Sequence, residues 1–66
     1  MTITLNGDSR ELAGEMAMTA LLDELDLSGK PVVVEQNRQA LLPREVGAAM
    51  VRDGDVIEIV QITAGG

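Results

Sequence analysis

The sequence predicts an α+β domain in which a single principal helix packs across one face of a mixed sheet. Three observations carry that expectation: an alternating strand that runs into Asn6-Gly7, an apolar helical stripe at Met18, Leu21, Leu22 and Leu25, and a long β-branched run from Val56 to Ile62.

Met1-Thr2-Ile3-Thr4-Leu5 alternates apolar and polar residues, placing Met1, Ile3 and Leu5 on one face of a strand. Asn6-Gly7 is a two-residue hairpin signal, because both positions tolerate positive φ, and the returning strand is expected near Ser9–Leu12. The stripe Met18, Leu21, Leu22, Leu25 follows the i, i+3, i+4, i+7 spacing of one buried helix face, with Asp23, Glu24 and Asp26 left for solvent. A helix near residues 17–27 follows, ended by Ser28-Gly29 and Pro31; its start is weakly marked, since Ala17 has no capping oxygen.

Val32-Val33-Val34 is short and β-branched and begins a strand. Asn37-Arg38-Gln39 turns the chain and Ala40-Leu41-Leu42 returns it to Pro43, which suits an edge or a strand end. Leu41 and Leu42 point in opposite directions on such a strand, so one of them is expected at the surface. A short helical turn fits between Arg44 and Met50, interrupted by Gly47, and Asp53-Gly54-Asp55 is a tight turn. Two carboxylates around one glycine lack the ligands of a calcium loop, so no metal is expected there. Val56–Ile62 is nearly continuous in apolar residues, which places it centrally with both edges paired. The order strand, strand, helix, strand, strand, short helix, strand, with first and last strands parallel at the centre, is the β-grasp arrangement. Residues 1–62 form that domain and residues 63–66 a tail.

Composition excludes several functions. Among 66 residues there is no Phe, Tyr, Trp or Cys, so Ile, Leu, Val, Met and Ala supply the whole 45% apolar fraction. Met16, Met18 and Met50 are expected to fill gaps in that core. With neither histidine nor cysteine, and little volume for a closed pocket, the chain is not expected to be an autonomous enzyme. Neither a disulfide framework nor a zinc site is available. Eleven acids against five bases give a net charge of −6. Arg10, Lys30, Arg38, Arg44 and Arg52 are scattered singly, which argues against nucleic acid and fits a basic protein surface. No apolar run approaches the ~20 residues of a membrane span, and the expected location is cytoplasmic.

The tail Thr63-Ala64-Gly65-Gly66 carries the candidate chemistry. A terminal carboxylate with a pKa near 3.5 is ionised and a poor electrophile, so it becomes an acyl donor only after activation, for example as an acyl-adenylate. Four extended residues reach at most ~14 Å, and two glycines fit a channel too narrow for side chains. Gly66 is thus the position to be loaded, with Gly65, Ala64 and Thr63 threading it into a partner. No catalytic residue is assigned to the chain itself.

Asn6-Gly7, Leu21-Leu22, Asn37 through Pro43-Arg44-Glu45, Asp53-Gly54-Asp55 and Ala64-Gly65-Gly66 together resemble the ubiquitin-like sulfur carriers, and within them the small carriers of thiazole formation in thiamin biosynthesis. The resemblance spans essentially the whole chain. It implies that an E1-like adenylyltransferase uses ATP to adenylate Gly66, which then becomes a thiocarboxylate (a 1-thioglycine). It further implies a sulfur donor such as a cysteine desulfurase, thiazole synthase as acceptor, and no permanently bound cofactor. Three positions depart from the family pattern: Arg38 stands where the hairpin usually has glycine, Ala17 where the helix start usually has a capping threonine, and no aromatic follows Pro43-Arg44. The alternatives are the small subunit of molybdopterin synthase and a ubiquitin-like protein modifier, both of which use the same kind of terminus.

Overall fold

The computed structural model describes residues 1–63; Ala64, Gly65 and Gly66 lie outside the described residues. Its elements are β1 (Thr2–Leu5), β2 (Asp8–Glu11), β3 (Met16–Ala17), α1 (Met18–Glu24), β4 (Val32–Gln36), β5 (Gln39–Ala40), α2 (Pro43–Ala48), β6 (Met50–Val51) and β7 (Val56–Gln61). The five-stranded sheet has the order β2-β1-β7-β4-β5, and β3 pairs with β6 in a separate ribbon. β1 and β7 run parallel, with Thr4 beside Val56 and Leu5 beside Ile57, while β7 and β4 are antiparallel. This is the expected β-grasp, with the last strand between the two hairpins.

The core lies between the sheet and α1. Ile3, Leu12, Met18, Leu21, Leu22, Val34, Val51, Ile57 and Ile59 are buried, and Leu25 packs against them half-buried. The helical stripe therefore faces inward as its spacing requires. Met18 fills the centre and Met16 is half-buried, but Met50 is 40% exposed and outside the buried core, contrary to its expected place as a core filler. The apolar run of β7 also needs refinement: Ile57 and Ile59 are buried, but Val56 and Val60 on the alternate face are exposed. The strand is central because both edges are paired, not because both faces are covered.

Helix α1 ends earlier than Ser28-Gly29. Asp26 adopts φ 61°, its N–H donates to the Asp23 carbonyl at 3.0 Å, and the Leu27 N–H donates to the Leu22 carbonyl at 2.8 Å. This pair of bonds is a Schellman motif with aspartate at the left-handed position, and it satisfies two orphan carbonyls of the last turn. At the other end Ala17 supplies no side-chain cap, but the Met18 N–H reaches the Ala49 carbonyl at 2.9 Å. That bond extends the β3–β6 pairing, in which Ala17 faces Met50, so a tertiary contact replaces the missing cap. These two-residue strands were not foreseen, because two residues carry no periodicity. Pro43 proves to be the first residue of α2 rather than a strand end, with its missing N–H at a position that needs none. The Glu45 carboxylate accepts the Leu42 N–H at 2.7 Å, and the helix continues through Gly47. Among the described residues no helix is long and apolar enough to cross a membrane.

Both hairpins of the main sheet turn through two residues with positive φ, Asn6-Gly7 (49° and 86°) and Asn37-Arg38 (52° and 69°). This is the geometry of a type I′ turn, whose twist matches that of the strands. Arg38 keeps the geometry at a steric cost that glycine avoids. Arg38→Gly is therefore expected to raise stability by about 0.5–1 kcal/mol, read as a rise in Tm of several degrees by thermal circular dichroism. An unchanged or lower Tm would show that Arg38 is not strained.

Candidate functional site

β7 is the last element of the described chain, so the geometry of that strand decides where the C-terminal segment begins. Its first residues are gripped from the β4–β5 turn. The Asn37 N–H donates to the Val56 carbonyl at 2.7 Å, and the Val56 N–H donates to Asn37 Oδ1 at 2.9 Å. Its middle is gripped from the β1–β2 turn. The Asn6 N–H donates to the Ile57 carbonyl at 2.9 Å, the Ile59 N–H donates to Asn6 Oδ1 at 2.8 Å, and Asn6 Nδ2 donates to the Ile59 carbonyl at 3.2 Å. Each asparagine thus has two duties. Its short side chain tolerates the left-handed backbone of the turn, and its amide substitutes for the backbone of a strand that has turned away. The turn role is legible in sequence. The clamp on β7 is not, since Asn6 and Ile59 are 53 positions apart.

Asp55 joins three segments just before β7. One carboxylate oxygen accepts from Gln36 Nε2 at 2.9 Å and from the Arg52 N–H at 2.9 Å; the other accepts from Asn37 Nδ2 at 3.1 Å. Asp53 Oδ1 accepts the Thr2 N–H at 2.8 Å, and the Gly54 N–H donates to the Thr2 carbonyl at 2.8 Å. The Asp53-Gly54-Asp55 segment is therefore a turn whose carboxylates are spent on the fold, as its residue types suggest. Burial pushes the Asp55 carboxyl up, but the Arg52 N–H, the Asn37 and Gln36 amides and the Arg52 charge together hold it below its ordinary 3.8.

Beyond β7, the Ile62 N–H donates to the Pro31 carbonyl at 2.9 Å, and Thr63 follows, exposed and outside any helix or strand. Of the expected site residues, Thr63 stands at this exit; Ala64, Gly65 and Gly66 fall outside the described residues. Two surfaces flank the exit. On the open face of the sheet Val33 lies directly opposite Val60 and Glu35 directly opposite Glu58, with Val56 further along β7. Val60 is 62% exposed and Val33 45%. Leu42 is exposed while Leu41 packs against the core, so the outward-facing member of that pair is Leu42. On the helix side an apolar groove runs beneath Ile62. Arg44 is exposed, and Arg52 pairs with Glu15 across 3.6 Å at the surface.

The sequence model of the ThiS family matches residues 3–66. The sulfur carrier protein ThiS of Thermus thermophilus is 39% identical over 64 residues, covering 97% of this chain and 98% of that protein. A thiazole synthase of Paramagnetospirillum magneticum is 35% identical over all 66 residues, which make up 20% of its own length. The crystal structure of the thiamine biosynthesis protein ThiS from Geobacter metallireducens superposes with a TM-score of 0.84 at 32% identity, with both chains fully covered. The solution structure of the Geobacter protein gives 0.81, covering 100% of this chain and 88% of the other.

Its lowered pKa makes Asp55 a source of pH-dependent stability. Its folded pKa lies below the unfolded value, so the contribution is full above that value and is lost as pH falls through the folded one. Asp55→Asn presents an NH2 group to donors and is expected to cost about 1–2 kcal/mol at neutral pH. Urea unfolding at several pH values should show the two proteins converging below about pH 4. Equal stability at neutral pH would remove Asp55 from this role.

Proposed function

Because the chain belongs to the ThiS family, we propose that it is a sulfur carrier of thiamin biosynthesis, loaded at its C-terminal glycine and serving thiazole formation. One observation carries the reading: the family match extends through Gly66, four positions after Ile62, whose N–H donates to the Pro31 carbonyl beside β4. A partner can then treat Gly66 as a substrate on a short tether.

The chemistry divides between chain and partners. An oxygen of the Gly66 carboxylate attacks the α-phosphorus of ATP in an E1-like adenylyltransferase, and pyrophosphate leaves. A sulfur nucleophile from a donor such as a cysteine desulfurase attacks the acyl carbon and AMP departs. Where that nucleophile is a persulfide, a thiol must reduce the resulting acyl disulfide to release the thiocarboxylate. Thiazole synthase accepts the sulfur. The relative in which a similar 66-residue stretch lies within a longer thiazole synthase supports that last partner. Glycine at 65 and 66 suits entry into a narrow site, and Thr63 and Ala64 span the distance from the exit. The exposed Val33, Val56 and Val60, with Glu35 and Glu58 between them, suit docking on an apolar protein surface bearing positive charge. The chain contributes no catalytic group and needs no resident cofactor.

Incubation with the E1-like enzyme, ATP and a sulfur donor should exchange one terminal oxygen for sulfur, seen by intact mass. Deleting Gly66 should abolish loading while shifting stability by less than about 0.5 kcal/mol. Adducts on lysines of other proteins would instead support a modifier, and an unchanged mass with active partners would overturn both readings.

A further inference from the structure

The groove on the helix side of the exit is open to water, although its lining residues are anchored by backbone bonds such as Leu27 N–H to the Leu22 carbonyl. Its apolar lining comes from Leu22, Leu27, Val32, Leu41, Val46 and Ile62, around a volume of about 540 Å³. The Schellman turn after α1 creates it, because it turns Leu27 back toward Leu22 and leads the chain through Gly29 to Pro31. Leu27, Val32, Leu41 and Val46 are only half-buried, and Ile62 is 50% exposed. Lys30 is the one charged residue on its rim among the described residues.

Reach decides what covers this groove. Ile62 both lines it and, among the described residues, makes the last backbone bond before the tail. The four residues from Thr63 to Gly66 extend at most ~14 Å, so a partner that encloses Gly66 must bring its entrance against the root of the tail. We propose that the groove receives one apolar side chain of leucine, methionine or phenylalanine type from the activating enzyme, with a carboxylate of that enzyme facing Lys30. Seating that side chain fixes the direction in which the tail leaves Ile62. It also desolvates apolar surface that the isolated domain leaves wet. This inference rests on the carrier reading, since it takes the enzyme enclosing Gly66 as its occupant.

The test uses the full 66-residue chain with labelled Ile, Leu and Val methyl groups, titrated with the E1-like enzyme without ATP. The methyls of Leu27, Val46 and Ile62 should shift or broaden together with the amides of Gly65 and Gly66. Ile62→Gln should weaken binding about fivefold or more with little change in Tm, and Lys30→Glu should weaken it in a manner that salt suppresses. If the glycine amides respond, loading proceeds, and the groove methyls stay still, the inference fails while the carrier reading stands. If nothing responds and active enzyme with ATP loads nothing, both fail. Groove methyls that move on deletion of residues 63–66 from the free chain would assign the groove to the chain's own tail. Methyls that move with the concentration of the free chain would assign it to a second copy. Either result overturns the proposal.

Discussion

Backbone pairing of β7 along both edges is the constraint on which the rest of the structure depends. Parallel contact with β1 and antiparallel contact with β4 fix the strand's position, but β1 turns away at Asn6 before β7 is finished. A buried strand left without partners there would lose free energy for each orphaned N–H and carbonyl. The amides of Asn6 and Asn37 fill those places at Ile59 and Val56. Two turns thereby become clamps, and the strand that carries the terminus is held by the hairpins on either side.

The same arrangement explains how so small an apolar core suffices. Among the described residues one face of the sheet is covered, by α1, and nine buried apolar residues fill the interface without any aromatic. Side-chain volume is limited, so polar groups near β7 carry much of the specification. Asp55 ties Gln36, Asn37 and Arg52 together, and Asp53 ties the same turn to Thr2. The uncovered face keeps Val33 and Val60 exposed opposite one another, an arrangement a free-standing domain has no packing reason to retain.

Elements with their own periodicity or turn chemistry were legible in the sequence. The stripe Met18, Leu21, Leu22, Leu25, the Asn6-Gly7 hairpin and the β-branched last strand each carry a local physical signal. What escaped was long-range. The β3–β6 ribbon is two residues deep on each side, and the Met18 bond to Ala49 that starts α1 joins residues 31 apart, by subtraction of their numbers. Aspartate at position 26 is a weaker signal for a left-handed helix end than the Ser28-Gly29 pair that follows it. The terminal glycines were conspicuous as a composition, but the groove at the tail root was not, because its lining gathers from α1, β4, α2, the segments between them and Ile62 after β7. A pair of glycines at a chain end is visible without a fold; a surface assembled from distant segments is not.

Native-state hydrogen exchange at Ile59 tests the clamp most directly. In the unaltered protein this amide, bonded to Asn6 Oδ1, should exchange only as fast as the whole domain unfolds. Asn6→Gly keeps the turn's backbone freedom while removing the amide, so Ile59 should then exchange through a local opening, about tenfold faster or more than buried amides elsewhere in the sheet. Equal protection of Ile59 in both proteins would contradict the account, because β7 would then be held without the side chain assigned to hold it.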